Sequence, residues 1–120
     1  MNTNESIEMY LETIHVLSKR LSHVKSIDVA NELNYARASV SRAIQLMQDK
    51  EYIILDEKKN ITLTKKGLEV ANRIYDRHVT LTNLLESIGV SKEVAEADAC
   101  KIEHVISEET MLAIKKHFDK

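Results

Sequence analysis

The sequence predicts a mainly α-helical fold that contains one small β-hairpin. The 120 residues include no proline and only two glycines, a scarcity that disfavours a turn-rich all-β fold. Apolar residues recur near the 3.6-residue period of a helix in several segments, whereas β-prone residues cluster in a single stretch, 52–63. The 43% apolar content is enough to bury a core, which must be aliphatic because only 4% of the residues are aromatic.

Three helices are predicted in the first 50 residues. The first covers residues 4–21 and carries its apolar stripe at Ile7, Leu11, Ile14 and Leu21. Ser26 is the predicted N-cap of a short second helix, and Asn34-Tyr35 forms a turn before the third, at 37–50. The residues expected to face inward are Ile27, Ala30 and Leu33 in the second helix and Val40, Ile44 and Met47 in the third.

The hairpin and three further helices complete the predicted chain. Two β-prone stretches, 52–55 and 61–63, flank a polar turn and are typical of a two-stranded hairpin. Helices are then expected at 65–88, 92–106 and 108–118, capped by Thr64, Ser91 and Ser107, with Gly89 ending the first of them. A helix pair followed by a hairpin is the order of a winged helix-turn-helix. We therefore predict a winged helix-turn-helix domain at 1–64 and a helical domain at 65–120.

The net charge of −2 is unevenly distributed along the chain. Residues 19–66 carry ten Lys or Arg against six Asp or Glu, a local charge of +4, whereas residues 1–18 and 67–120 are each at −3. Attraction to phosphate depends on the local face rather than on the total charge. The basic segment coincides with the predicted winged helix-turn-helix, which favours nucleic acid as its partner.

The third predicted helix has the composition that base recognition requires. Such a helix must expose polar side chains near its N-terminal end to reach base edges. Arginine can bind guanine in a forked geometry, serine can donate to a base or a phosphate, and alanine permits close approach. Any one of these charges alone would be an ordinary solvated residue; it is their combination with basic residues at the hairpin tip that indicates DNA. The candidate contacts are Lys25, Ser26, Ala36, Arg37, Ala38, Ser39, Ser41, Arg42, Lys58 and Lys59.

A metal site is the second feature that the pattern suggests. Cys100, Glu103 and His104 stand at i, i+3 and i+4, which places three metal-binding side chains on one face of the predicted fifth helix. Met9 lies nearly opposite the apolar stripe of the first helix, where a core methionine is not expected. Taken singly, a methionine is usually a packing residue and a lone cysteine usually inert. The residues by themselves leave both interpretations open.

The chain resembles the diphtheria toxin repressor family of iron- and manganese-dependent repressors. The resemblance is carried by Glu8 to Ile14, by Ala36 to Arg42, by Arg77-His78 and by Ala99 to Val105, in the family's order and spacing. It implies a DNA-binding winged helix followed by a helical metal-binding and dimerisation domain. Many members carry a further SH3-like domain, for which 120 residues leave no room.

The resemblance implies one regulatory metal site and a second, altered one. The regulatory ligands fall on Met9, Cys100, Glu103 and His104, which is the iron-type pattern, since manganese-type members carry carboxylates in place of Met9 and Cys100. In the second site His78 is kept, but Thr82 and Glu96 replace the iron-type glutamate and histidine. A rebuilt site is expected from Glu12, His78, Glu103 and Glu96.

These observations predict a metal-dependent repressor of metal-homeostasis genes. Fe(II) is the expected ion, with Mn(II), Co(II), Ni(II) and Zn(II) as alternatives, and double-stranded operator DNA is the partner of a homodimer formed through residues 65–118. A metal-independent or manganese-responsive regulator is the main alternative. A metalloenzyme is disfavoured, because the compact helical chain offers no substrate-binding loops for a small molecule. A single Cys100 and the absence of an 18-residue apolar run fit a cytoplasmic protein without a membrane span.

Overall fold

A computed structural model describes residues 3–118 of the chain, with side chains from residue 6 onward. The described chain divides into two compact units, one ending at Asn72 and one beginning at Arg73. None of the described helices combines the length and the apolar character of a membrane span. In chain order the elements are α1 (Thr3–Arg20), α2 (Ser26–Leu33), α3 (Arg37–Asp49), β1 (Ile53–Leu55), β2 (Ile61–Leu63), α4 (Lys65–Ser87), α5 (Lys92–Ile102) and α6 (Glu108–Phe118).

The core of the first unit is built from the apolar faces of α1, α2, α3 and the hairpin. Leu11 and Ile14 are fully buried, as their helical spacing predicts. The expected position of Leu21 in this stripe is wrong, because α1 ends at Arg20 and Leu21 is 40% exposed. Leu17 is buried on α1 instead. The predicted inward residues of α3 are confirmed: Val40, Ile44 and Met47 are all buried.

The start of α2 differs from its prediction. Ser26 is the first residue of the helix, and Lys25 occupies the N-cap position. The Asp28 carboxylate accepts a hydrogen bond from the Lys25 backbone N–H at 2.8 Å, so the helix end is closed by an acidic side chain one turn inside it. At the other end, Asn34 adopts a left-handed conformation with φ 58°, which confirms the predicted turn before α3.

The hairpin forms as predicted, although it begins one residue later. β1 and β2 are antiparallel with Ile53 opposite Leu63, and Tyr52 precedes the ladder, where its N–H donates to a carbonyl at the end of α3. The first residue of each strand, Ile53 or Ile61, is buried, and the second, Ile54 or Thr62, is exposed. Alternate residues of each strand therefore face the core. The hairpin is therefore a wing packed on the helix pair.

The beginning of α4 belongs to the first unit. Thr64 accepts the Gly67 N–H at 3.1 Å, which confirms it as the cap of this helix. Gly67 is packed so closely that an added Cβ would lie 2.1 Å from the Tyr52 carbonyl oxygen. The predicted domain limit at residue 64 coincides with the start of α4, and the compact units divide two turns later because these turns pack on the wing.

The second unit consists of the remainder of α4 with α5 and α6, around Leu81, Ala99 and Met111. Three predicted helix signals are confirmed: Gly89 has a positive φ of 102°, Ser91 accepts the Val94 N–H, and Ser107 accepts the Thr110 N–H. The predicted end of α5 at residue 106 is wrong. The helix ends at Ile102, and residues 103–107 form a turn that leads into α6.

Replacement of Gly67 by alanine should destabilise the first unit. Alanine is favoured over glycine in a helix by about 1 kcal/mol, but the clash with backbone should outweigh this, and we expect a net loss of about 1–3 kcal/mol. Urea denaturation of the metal-free protein at fixed concentration measures the change. Asn72→Ala, an exposed position on the same helix, is the control. A Gly67→Ala variant as stable as the wild type would show that the backbone yields without cost.

Candidate metal centre and DNA-binding surface

The recognition surface lies on α3. Arg37, Ser41 and Arg42 are exposed on α3, whose Val40 is buried, and Ala36 and Ala38 are also exposed. Ser39 is half-buried, and its hydroxyl accepts a hydrogen bond from Nη2 of Arg42 at 3.4 Å. The polar residues at the N-terminal end of α3 are therefore displayed to solvent by the packing of its apolar stripe.

The N-terminus of α3 is left open by its own sequence. Ala36 at the N-cap offers no side-chain acceptor, and the first turn contains no acidic residue. The first backbone N–H groups of a helix have no partner within the helix, and the partial positive charge there attracts anions. The α2 terminus is different, because Asp28 supplies an acidic group. An open positive terminus beside exposed arginines suits a DNA phosphate.

The wing presents Lys58 and Lys59 at its tip, both exposed. The tip is folded around Asp56, whose carboxylate accepts hydrogen bonds from the backbone N–H groups of Lys58 and Asn60 and from the Asn60 side chain. These bonds, led by the one from the Asn60 N–H, hold the pKa of Asp56 below its ordinary value. Lys59 completes the turn with a left-handed φ of 65°.

A lysine connects the wing to the helix-turn-helix. The Lys25 ammonium, at the start of α2, donates to the Lys58 carbonyl at 2.9 Å. The neighbouring Ser26 is exposed and lines a groove of about 380 Å³ between α3 and the wing, together with Ser41 and Lys59. Of the predicted DNA contacts, Ser26, Ser41 and Lys59 therefore line the groove between α3 and the wing, and Lys25 joins the wing tip to the start of α2.

Met9 and Glu12 lie on α1, both half-buried. The sulfur of Met9 accepts a hydrogen bond from the Tyr35 hydroxyl at 3.7 Å, and its carbonyl accepts one from Thr13 at 2.9 Å. Tyr35 follows the left-handed turn before α3 and packs edge-on against Tyr10, with ring centroids 6.1 Å apart. This contact between Met9 and the helix-turn-helix was not predicted from the sequence, because the two residues are 26 positions apart.

Glu103 is the centre of a polar cluster in the second unit. Its carboxylate is fully buried, and one oxygen lies 2.9 Å from Nδ1 of His78 while the other lies 3.4 Å from Nε2 of His104. Because an ionised carboxylate only accepts, the first contact is a hydrogen bond in which the His78 ring N–H donates. The structure thus brings together three of the predicted metal-site residues.

The residues predicted to share one helical face, Cys100, Glu103 and His104, lie across the C-terminal end of α5. Cys100 is exposed on the last turn of α5, and Glu103 is the C-cap of that helix, with its N–H bonded to the Ala99 carbonyl. His104 follows in the turn. The turn is anchored by Arg77, whose guanidinium donates to the carbonyl oxygens of Glu103 and Ile106 at 3.1 and 3.2 Å. Periodicity could not predict this anchor, since Arg77 lies on another helix.

The remaining predicted ligand, Glu96, is exposed on α5. It lines a cavity of about 410 Å³ with His78, Thr82 and Glu86. The Thr82 hydroxyl oxygen is buried and has no hydrogen-bond partner among the described residues. Glu86 was not among the predicted ligands. Glu86 lies eight residues after His78 on α4, about two helical turns further along a similar face. This spacing was the signal in the sequence that could have indicated Glu86 as a candidate ligand.

The side chains of the second unit fit a divalent cation. An ionised carboxylate removed from water requires positive charge or several hydrogen bonds, and Glu103 has two imidazoles beside it. Carboxylate oxygen and imidazole nitrogen together are ligands for iron, manganese and zinc, and a thiol such as Cys100 favours softer ions. Glu103 and His104 could therefore coordinate an ion, while the bond from His78 would orient the Glu103 carboxylate.

Two family models match this chain over nearly its whole length. The N-terminal DNA-binding domain of iron-dependent repressors matches residues 2–61, and their metal-binding and dimerisation domain matches residues 64–120. The chain belongs to the iron-dependent repressor family. The resemblance stated from the sequence is thereby confirmed, as is the winged helix-turn-helix followed by a helical domain.

Characterised and uncharacterised relatives of this repressor share about a third of its residues. It is 33% identical over 119 residues to an uncharacterized HTH-type transcriptional regulator of Methanocaldococcus jannaschii, covering 98% of the chain and 95% of that protein. It is 32% identical over 105 residues to the HTH-type transcriptional regulator MntR of Bacillus subtilis, covering 88% of the chain and 74% of MntR.

Solved structures show the same fold. The metal-dependent transcriptional regulator MtsR matches with a TM-score of 0.85 at 23% identity, covering 99% of the chain and 55% of MtsR. IdeR of T. acidophilum matches with a TM-score of 0.80 at 27% identity, covering 94% of the chain and 54% of IdeR. The chain thus spans about half the length of these two proteins.

Family membership establishes the general function. The chain is a metal-dependent transcriptional repressor that dimerises and binds operator DNA, and members of the family are regulators rather than enzymes. The exposed face of α3 and the wing lie in the part matched by the DNA-binding domain, and the Glu103 cluster lies in the part matched by the metal-binding domain.

The bonds to Asp56 predict how the wing tip responds to acid. Because its pKa is lower in the folded chain than in the unfolded one, Asp56 stabilises the wing above the ordinary value of 3.8, and this contribution is lost as the pH falls through the lower, folded value. An NMR titration should place the Asp56 midpoint below 3.8. Asn60→Ala, which removes one donor, should raise it part of the way back. A wild-type midpoint at or above 3.8 would contradict the arrangement.

Proposed function

We propose that this repressor responds to Fe(II) and represses metal-homeostasis genes when iron is plentiful. The proposal is carried by two sulfur side chains, Met9 and Cys100. They occupy the positions at which the family resemblance implies regulatory metal ligands. Divalent affinity rises from Mn(II) to Fe(II) at a typical nitrogen, oxygen and sulfur site, and thiolate or thioether ligands widen that difference. The half-buried Met9 sulfur and the exposed Cys100 thiol support this choice.

The proposed regulatory site draws on α1 and on the end of α5. Met9 on α1 would act with Cys100, Glu103 and His104, and Glu12 with His78 and Glu96 would contribute to a second, weaker site. Ligands from both predicted domains would make DNA affinity depend on metal, since an ion bound better in one arrangement shifts the population toward it. When bound, the ion would supply positive charge to the buried Glu103 carboxylate.

The second site is proposed to be weak, so that one ion per protomer is sufficient for repression. Thr82 stands where iron-type members carry a glutamate, and its buried hydroxyl is a poor ligand compared with a carboxylate. Glu96 is exposed on α5 and would lose part of its attraction to the ion through solvent screening. A titration followed to saturation should therefore give a tight phase of one equivalent.

Direct readout of the operator is assigned to α3 and backbone contact to the wing. Arg37 and Arg42 are exposed at the N-terminal half of α3, where arginine can bind guanine. Ser39, Ser41, Ala36 and Ala38 would line the same approach. Lys58 and Lys59 on the wing, with Lys25 and Ser26 at the start of α2, would bind phosphates of the same site.

A manganese-responsive repressor is the second candidate. Its support is the presence of Glu12, a carboxylate that matches a manganese-type ligand, and the names of relatives, which include MntR and the manganese regulator SloR. One experiment distinguishes the two candidate functions. Operator binding is titrated anaerobically with Fe(II), Mn(II), Co(II) and Zn(II), with a chelator as the metal-free reference. Affinity unchanged by chelator would exclude both.

Exchange of the two sulfur ligands should change the metal response. The double variant Met9→Asp with Cys100→Glu replaces soft ligands by carboxylates, so we expect its response to shift toward Mn(II), whereas the wild type responds to Fe(II), with Co(II) and Ni(II) as surrogates. Metal-dependent operator binding by fluorescence anisotropy measures the shift. Wild-type activation by Mn(II) as strong as by Fe(II), or an unchanged preference in the variant, would refute the role of the sulfurs.

Substitutions on α3 and on the wing should differ in their effects. Arg37→Ala and Arg42→Ala should each weaken operator binding by about 1–3 kcal/mol and relax specificity at one base pair. Lys58→Ala should weaken specific and non-specific binding alike, because phosphate contacts carry no sequence information. Both are measured by competition with operator and random duplexes at fixed salt.

Lys116→Ala is the matched control for these variants. It removes the same charge from an exposed position on α6, outside the basic segment. It should leave operator affinity within about twofold of the wild type, because Lys116 lies outside the part of the chain that matches the DNA-binding domain. If Lys116→Ala weakened binding as much as Arg42→Ala, the effect would be general electrostatics. If all three DNA-surface variants bound like the wild type, the recognition assignment would be wrong.

A further inference from the structure

Arg77 makes a set of contacts that the DNA-binding and ligand assignments do not use. Its side chain is only 12% exposed. Nη1 donates to the carbonyl oxygens of Glu103 and Ile106, at 3.1 and 3.2 Å, and Nη2 donates to the Glu108 carboxylate at 2.9 Å. A single guanidinium on α4 therefore connects both ends of the turn between α5 and α6.

The neighbour of Arg77 binds the same turn through a different group. His78 donates to the Glu103 carboxylate at 2.9 Å, while Arg77 binds the carbonyl oxygen of that residue. Two consecutive residues of α4 thus hold the side chain and the backbone of Glu103. His104, the next residue, has its Nε2 3.4 Å from the other Glu103 oxygen, so its position depends on the same backbone.

The contacts of Arg77 have a physical reason. The last carbonyl groups of a helix have no partner within the helix, and a cation at that end binds them and interacts favourably with the helix dipole. The Ile102 carbonyl is taken by the N–H groups of Val105 and Ile106 as the chain turns. Arg77 binds the next carbonyl, that of Glu103, and so closes the end of α5.

We propose that Arg77 is a positioning residue for the metal site, holding the turn so that Glu103 and His104 are preorganised to bind an ion. The inference rests on the proposed metal ligands. A guanidinium is suited to the role because its planar fork reaches two carbonyls and a carboxylate at once, which a lysine ammonium on a flexible stem does not reproduce. Residues that orient ligands without touching the ion typically change metal affinity by 10–100-fold.

The test compares metal affinity with metal-free stability in matched variants. Arg77→Met keeps the length of the side chain and removes every donor, and Co(II) affinity is measured by anaerobic calorimetry on the full chain. We expect affinity about 10–100-fold weaker than in the wild type, with a changed Co(II) ligand-field spectrum. Arg77→Lys retains the charge, and its Co(II) affinity should lie between those of the wild type and Arg77→Met. If Arg77→Met does not fold, Arg77→Lys is the variant compared with the wild type.

Two controls separate positioning from general stability. Glu108→Gln removes only the exposed ion pair of Arg77 and should leave Co(II) affinity within about threefold, because exposed pairs contribute little. Met111→Ala weakens the core of the same unit but removes none of the hydrogen bonds from the Arg77 side chain to the turn. It should lower the urea midpoint of the metal-free protein at least as much as Arg77→Met, yet change Co(II) affinity far less and leave the spectrum unaltered.

The outcomes distinguish the inference from the proposed function. If the wild type does not bind Co(II), the proposed metal site fails and the role of Arg77 fails with it. If the wild type binds Co(II) and Arg77→Met binds with equal affinity and spectrum, only the positioning role is overturned. It is overturned as well if Met111→Ala weakens Co(II) binding as much as Arg77→Met does.

Discussion

The burial of the Glu103 carboxylate is the constraint around which the second unit is organised. A buried carboxylate is costly unless polar groups compensate it; one Glu103 oxygen lies 2.9 Å from a His78 nitrogen of α4, and the other lies 3.4 Å from a His104 nitrogen of the same turn. Arg77 binds the backbone carbonyl of Glu103 and so holds this turn in position. The placement of His104 and the ligand character of the cluster are therefore tied to one buried carboxylate and to the turn whose backbone Arg77 binds.

In the first unit, the small aliphatic core determines which polar side chains are exposed to solvent. Buried Val40 and Met47 fix the rotation of α3, so that Arg37 and Arg42 are presented to solvent. The wing is held by local bonds to the Asp56 carboxylate and by the Lys25 ammonium, rather than by a large sheet. The lysines at its tip therefore extend from a turn that is already hydrogen-bonded. Because less backbone freedom is lost on binding, the entropic cost of binding DNA is lower.

Most secondary structure could be predicted because its causes are local. Helical periodicity located α1, α3 and α4, and the side-chain caps at Thr64, Ser91 and Ser107 were correct, since each such cap requires only a hydroxyl within three residues of a free N–H. Ser26 failed as a cap because Asp28 bound the backbone of Lys25 instead, a competition between two local signals. The extension of α5 to residue 106 failed for a non-local reason, the binding of Arg77 to carbonyls that a continuing helix would have used.

The sequence by itself determined the order of elements, the basic character of the helix-turn-helix segment, and the residue types able to bind metal or DNA. These are properties of composition and spacing. Only the tertiary structure decided which of those residues meet: that His78 contacts the Glu103 carboxylate and that Tyr35 contacts the Met9 sulfur. The reason is that such contacts join residues 25 or 26 positions apart, and their distances depend on how helices pack, which no local pattern encodes.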